Sequence, residues 1–135
     1  MNEFVVDIHE FRDRSYTIGY EQGRLLDKKQ LAVYETFTKE SMDLEGAQTV
    51  LKAFAPHLLE EIHGLADGLR IPYDIAMRYF SGYDLPKLQA MGCSSIVTQD
   101  FMVRNYDFSP LIYDHQLVFA QSEETYGSVG YSPIT

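Results

Sequence analysis

The single cysteine of this 135-residue sequence, Cys93, is the residue with the clearest potential for chemistry. A thiolate is a strong nucleophile, and a nearby guanidinium lowers the pKa of a thiol and can hold an anionic substrate group. Arg104 is the only basic residue from Cys93 to the end of the sequence, in a stretch that carries five acidic residues. The alternative for a lone cysteine is a small buried hydrophobic side chain, and composition does not decide between the two.

The segment after Cys93 predicts a β-hairpin. Residues 94–98 and 101–103 are suited to strands, and they flank Gln99-Asp100 as a two-residue turn. Directly opposed residues share a face of a strand pair, and so do alternate residues along one strand. That turn gives the pairs Thr98–Phe101, Ser95–Arg104 and Cys93–Tyr106. Four side chains would then project together: Cys93, Ser95, Arg104 and Tyr106.

Asp107 has the opposite parity in this hairpin, so it joins the same face only at a bulge or at the end of the strand. A register slip of one residue would move every side chain to the other face and remove the arrangement.

The first third of the chain predicts one strand and one long helix. Residues 4–11 mix apolar and polar residues and favour a strand. Ser15 is a candidate N-cap for a helix that begins near Tyr16 and runs through Leu26, and the apolar spacing would allow it to continue past Leu31, Tyr34 and Phe37. Gly19 and Gly23 lie four residues apart on one face of this helix, which indicates close approach of another backbone or a locally weak helix.

Two further helical stretches are expected before Cys93. Residues 46–69 carry a helical stripe of apolar residues, Leu58, Ile62, Leu65 and Leu69. Pro56 should split this stretch, because proline is favoured in a first turn, and Gly68 should mark its end. A third helix is expected from Tyr73 to Phe80, ending near Gly82.

Helices therefore come first, and a meander of strands follows, with further strands at 117–120 and 127–131. This order predicts an α+β fold with an internal boundary near Gly92: a helix-rich part, 1–92, and the first strands of a sheet, 93–135. The last residues offer no closing helix, so either the preceding helices cover both faces of the sheet or the chain stops before its fold is complete.

Composition narrows the function classes. A net charge of −9 opposes binding to nucleic acids, and no apolar run is long enough for a membrane-spanning helix. One cysteine allows no intrachain disulfide and favours the cytoplasm. The sequence has no glycine-rich phosphate loop and no metal-type cysteine spacing, so no cofactor and no metal are expected. Glu60 and His63 form only half of a bundle metal site.

Gly92-Cys93-Ser94-Ser95, followed by Arg104-Asn105-Tyr106-Asp107-Phe108, resembles the N-terminal-nucleophile hydrolases. Within them the sequence is similar to the acyl-coenzyme A:6-aminopenicillanic acid acyltransferase-like branch, related to penicillin V acylases and bile salt hydrolases. Residues 18–23 resemble the early helix of that branch, and residues 58–68 resemble the helix before its nucleophile. The similarity extends from about Tyr16 to Tyr131.

The resemblance implies an αββα fold with an antiparallel catalytic sheet and cleavage of the chain's own Gly92–Cys93 bond. Cys93 would then supply the thiol nucleophile and, through its free α-amine, the base. Arg104 would bind or polarise the substrate, and Asp107 would hold the amine and the thiol. Supporting positions would be Ser95, Asn105 and Tyr106. The substrate would be a small linear amide or an acyl thioester.

Family members continue well past this point, and later residues complete their oxyanion hole. We therefore expect this chain to be an incomplete, inactive N-terminal part. One alternative is a non-catalytic binding module with an inert Cys93 that forms a homo-oligomer through an exposed sheet edge. Another is a cysteine–histidine thiol enzyme that uses His115 or His63.

Overall fold

The computed structural model of the protein describes residues 5–38, 41–84, 94–105 and 115–130. The expected α+β class is confirmed, because helices fill the middle of the chain and strands follow them. In the part described, no helix combines the length and the apolar character that a membrane crossing requires. The elements are β1 (Asp7–Asp13), α1 (Ser15–Leu25), α2 (Lys28–Phe37), α3 (Leu44–Phe54), α4 (Pro56–Leu69), α5 (Tyr73–Phe80), β2 (Ser94–Val97), β3 (Met102–Asn105), β4 (Gln116–Ser122) and β5 (Ser128–Gly130).

Helices α1 and α4 pack with their backbones in contact. A methyl group added at Gly19 would overlap the carbonyl oxygen of Glu61, and one added at Gly64 would overlap that of Tyr16. Each helix thus contributes a pair of glycines, four residues apart, to the same interface: Gly19, Gly23, Gly64 and Gly68. The predicted close approach of a second backbone at α1 is confirmed, since only glycine leaves room for it.

The hydrophobic core lies among α3, α4 and α5. The predicted apolar stripe of α4 faces it, with Ile62, Leu65 and Leu69 all less than 5% exposed. Helix α5 presents a buried face to the same core, and the side chain of Leu26 closes one end. The buried residues of α3 and α5 are Ala47, Ala76, Met77, Tyr79 and Phe80.

The first helix does not continue past Leu31 as its apolar spacing would allow, because the chain breaks at Leu26 and Asp27. Leu26 has an extended backbone that turns its side chain into the core. Asp27 then starts α2 with a capping box in which Gln30 is the reciprocal partner. This capping arrangement satisfies the first amides of a new helix and so makes the break stable.

The N-cap predicted at Ser15 is also wrong. Helix α1 begins at Ser15 itself, and Arg14 is the N-cap without a side-chain hydrogen bond. The Ser15 hydroxyl donates instead to Glu124 Oε2 at 2.9 Å, across most of the chain. A carboxylate from the turn after β4 therefore stabilises the start of α1, where negative charge is favourable.

The other helix boundaries follow the sequence with one exception. Pro56 does split the second helical stretch, and α5 covers the predicted residues 73–80. Gly68 does not end α4, since it lies within the helix against the carbonyl oxygen of Tyr20. The helix ends one residue after it, and Arg70 follows in the left-handed conformation.

Strands β1, β4 and β5 form one sheet, and β2 and β3 form a separate hairpin. The expected meander of the strands after Cys93 is therefore wrong for the described residues, because β3 and β4 lie in different sheets and β4 pairs instead with β1, in parallel over seven residue pairs. This pairing also moves the first strand from the predicted 4–11 to 7–13. The strands expected at 117–120 and 127–131 are present as β4 and β5, which pair antiparallel.

The N-terminal strand thus belongs to the same sheet as the C-terminal strands. Gly92 lies outside the described residues, and the division into residues 1–92 and 93–135 stays a prediction.

One face of the sheet packs on α1, where Gln116 Nε2 donates to the carbonyl of Leu25 at 3.2 Å. The opposite face exposes Ile8, Phe119 and Val129, which are 69%, 42% and 56% exposed.

A carboxyl group lies within the α1–α4 interface. Gln22, which is 3% exposed, donates from Nε2 to Glu61 Oε1 at 2.9 Å. Burial raises the pKa of Glu61 above its ordinary value, although the hydrogen bond from Gln22 acts in the opposite direction. Ionised Glu61 therefore costs the folded state free energy.

Substitution of Gly64 by alanine tests the backbone contact. In an exposed helix this change stabilises by about 1 kcal/mol, but here the new methyl group meets Tyr16, and overpacking costs about 1–3 kcal/mol. We expect Gly64→Ala to lower the free energy of unfolding in urea. The control is Gly127→Ala, where the nearest atom lies at 3.8 Å and the change should stay within about 0.5 kcal/mol. Equal effects of the two substitutions would contradict the contact.

Glu61 predicts a specific pH dependence. Because the folded-state pKa lies above the unfolded one, the stabilisation from this group is complete below the unfolded pKa and is lost as pH rises through the folded pKa. We expect Glu61→Gln to gain stability relative to the wild type between pH 4 and pH 7, measured by urea unfolding. Glu35→Gln, on an exposed site of α2, should run parallel to the wild type. If the free energy of unfolding of the wild type changed with pH in the same way as that of Glu61→Gln, the raised pKa of Glu61 would be refuted.

Candidate functional site

The hairpin that follows Cys93 in sequence has the predicted register. Ser95 lies opposite Arg104, and Ser94 lies opposite Asn105. The two-residue turn at Gln99-Asp100 closes with a backbone hydrogen bond of 2.9 Å from Thr98 N to Phe101 O. The Thr98 hydroxyl also accepts from the backbone N–H of Phe101 at 3.1 Å. This side chain compensates for a dipeptide that is poorly suited to a tight turn.

Ser95 and Arg104 share one face of this hairpin, as predicted. Asn105 lies opposite Ser94 and therefore belongs to the other face, because side chains alternate along a strand. All residues of β2 and β3 are exposed to solvent. Arg104 is thus a solvent-exposed residue on the face it shares with Ser95.

The remaining members of the predicted site lie outside the described residues. These are Gly92, Cys93, Tyr106 and Asp107. The pairing of Cys93 with Tyr106 would extend the observed register by two positions beyond Ser95–Arg104. It stays a prediction, as do the roles assigned to Cys93 and Asp107.

The two histidines considered as partners of Cys93, His63 and His115, take part in structural contacts. The ring of His63 stacks on Tyr73, with centroids 3.8 Å apart and planes 7° apart. His115 has a left-handed backbone, and its carbonyl accepts from Asp7 N at 2.8 Å, where β1 and β4 begin to pair. No three metal-ligating side chains converge in the part of the chain that the structure describes. A role for either histidine beside Cys93 stays untested.

Sequence reasoning missed the contact between Ser15 and Glu124. The hydrogen bond from the Ser15 hydroxyl lowers the pKa of Glu124 below its ordinary value, and Ser122 adds to the effect. Arg14 lies 3.6 Å from Glu123, so two successive residues on each side meet here. The 109 residues that separate Ser15 from Glu124 leave no local signal for this contact.

The observed geometry places Arg104 directly opposite Ser95 on the neighbouring strand. A guanidinium at such a position can hold a carboxylate or polarise a carbonyl oxygen. The hairpin register is therefore the part of the candidate site that rests on structure. Comparisons of the chain with protein-family models, with curated proteins and with solved structures find no match.

Proposed function

We propose that this chain belongs to a cysteine amidohydrolase or acyltransferase of the N-terminal-nucleophile type, activated by cleavage between Gly92 and Cys93. The observation that supports the proposal is the pairing of Ser95 with Arg104. Arg104 is the only lysine or arginine after Cys93 in sequence. It lies on β3, which pairs with β2, and β2 is the strand that follows Cys93 directly. The motif Gly92-Cys93-Ser94-Ser95 supplies the nucleophile at the right place in sequence.

The cleavage would begin with attack of the Cys93 sulfur on the carbonyl carbon of Gly92. The peptide C–N bond breaks, the thiol proton passes to the departing nitrogen, and a thioester replaces the amide. Water then hydrolyses the thioester, which leaves a Gly92 carboxylate and a free Cys93 thiol. The same step gives Cys93 an α-amine with a pKa of roughly 7.7–8.0, which is suited to a general base near neutral pH.

In the mature protein this amine would take the proton of the Cys93 thiol. The thiolate attacks the acyl carbon of an amide or thioester, and the leaving amine or thiol accepts the proton. Water or an acceptor amine then releases the acyl group from sulfur. Arg104 would hold the substrate's anionic or carbonyl oxygen, and Asp107 would orient the amine. We assign the protein to the cytoplasm, where a lone thiol stays reduced.

Intact-mass measurement of the purified chain tests this function. We expect two fragments, residues 1–92 and 93–135, whose masses add up to the chain plus one water. Cys93→Ala should give one uncleaved chain, because the nucleophile is lost. Ser94→Ala should still cleave and is the matched control. Hydroxylamine attacks thioesters, so it should speed the cleavage, and a wild-type chain that stays whole in its presence would contradict autoprocessing.

A second candidate function is self-association through the uncovered face of the β1–β4–β5 sheet. Three exposed apolar residues share this face: Ile8, Phe119 and Val129. Phe119 pairs with both Val129 and Glu10, and Ile8 lies two residues before Glu10, so it points to the same side of β1. Glu10 and Arg12 carry opposite charges beside the apolar residues. If a second copy packs on this face about a twofold axis, its apolar residues cover those of the first copy. Glu10 of each copy can then lie near Arg12 of the other.

Light scattering after gel filtration distinguishes this candidate. We expect the wild type to be a dimer and a variant with threonine at positions 8, 119 and 129 to be a monomer. Threonine retains the preference for strands and removes apolar surface. Phe54→Ser is the control, since Phe54 is 85% exposed on α3, away from the sheet, and should leave the dimer intact. A monomeric wild type at about 100 μM would exclude a biologically useful dimer.

A further inference from the structure

A pocket of about 280 Å³ lies where α1 ends, α2 begins and α4 ends. Its apolar and backbone surface comes from Gly23, Leu26, Gly68 and Leu69. The charged residues that line it are all basic: Arg24, Lys28 and Arg70. Each comes from a different element, so the fold rather than local sequence brings these three cations together.

This basic pocket stands out in a chain of net charge −9 with only 11 basic residues. Arg24 lies 3.4 Å from Glu21, a long and exposed ion pair that supplies little compensation. Among the described residues, neither Lys28 nor Arg70 forms an ion pair. Three neighbouring cations repel one another, and an anion in the pocket would relieve that repulsion.

Helix-dipole stabilisation explains only part of this cluster. Arg24 lies in the last turn of α1 and Arg70 follows the end of α4, where cations are favourable. Lys28, however, is the first residue of α2, and a positive charge there opposes the dipole. Asp27 already caps the first amides of α2, so the site rests on the three side-chain charges, and an anion in the pocket would offset the charge of Lys28 as well as those of the two arginines.

The backbone of Arg70 is a separate observation. It has φ 58° and ψ 48°, and its N–H donates to the carbonyl of Asp67 to cap α4. Glycine is the usual residue in this left-handed position, because a side chain is strained there. An arginine thus stands at a position where glycine would relieve the backbone, and this arginine is one of the residues that line the pocket.

We propose that this pocket binds a compact polyanion of the phosphate class, such as a diphosphate group of a small molecule. Arginine presents paired N–H donors that match phosphate oxygens, and the lysine adds a point charge. A diphosphate carries several negative charges over a length that can reach all three cations. This site is separate in sequence and function from the residues around Cys93.

Titration of the full chain with inorganic pyrophosphate at low ionic strength tests the proposal, by calorimetry and by the midpoint of thermal unfolding. Arg70→Gly removes one cation while improving the backbone at the helix end, so loss of binding cannot come from unfolding. We expect this variant and Arg24→Gln each to weaken binding by about tenfold or more. Lys52→Gln, at an exposed site of α3, is the charge-matched control and should bind like the wild type.

Three outcomes would overturn the site. The first is a wild type whose unfolding midpoint does not move at millimolar pyrophosphate. The second is equal weakening by Lys52→Gln, which would show that net charge and not the pocket attracts the ion. The third is binding of citrate as tight as that of pyrophosphate, which would remove the preference for phosphate.

Discussion

Helices α1 and α4 touch through their backbones, and both the helical core and the β1–β4–β5 sheet are built on that pair of helices. The face that α1 turns inward has one large apolar side chain, Ile18, and otherwise consists of glycine, serine and Gln22. Attraction between these helices therefore comes from dispersion between closely spaced main chains and from the hydrogen bond between Gln22 and Glu61, rather than from interlocking apolar side chains. Such an interface does not accept larger residues at its glycine positions, because a backbone atom cannot rotate away from an added methyl group as a side chain can.

The close contact has consequences on both sides of the helix pair. Helix α4 keeps its large apolar residues free for the core with α3 and α5, because its glycine side is used for α1. Helix α1, held in this position, supports the sheet: Gln116 reaches the carbonyl of Leu25, and the carboxylate of Glu124 reaches Ser15 at the other end. The helix is therefore connected to the strand layer at both of its ends by polar contacts.

Local features of the sequence predicted local features of the structure well. The turn at Gln99-Asp100 determined the register of β2 and β3, because a two-residue loop allows few pairings. Pro56 and the pair Gly19 and Gly23 act through their own backbone geometry, so their effect is readable without knowing the partner. These same rules yielded the pairing of Ser95 with Arg104, on which the proposed function rests.

Long-range features were not readable in the same way. The alternation of β1 shows that it is a strand but carries no information on its partner, so its pairing with β4 was missed. The break at Asp27 had a local signal in the capping box with Gln30, but the apolar spacing that continues to Leu31 and Tyr34 obscured it. The basic pocket joins three chain segments, and only the fold shows that they meet.

The parallel pairing of β1 with β4 sets an order of events during synthesis on the ribosome. Residues 7–13 emerge first, but their partners, residues 116–122, are made about a hundred residues later. At 5–20 residues per second, this delay is roughly 5–20 s. Helices α1 and α4 can associate much earlier, since they are nearer in sequence and more local contacts form faster. Strand β1 therefore remains unpaired after the helices have packed, and until β4 is synthesised its backbone amides are exposed to water and to chaperones.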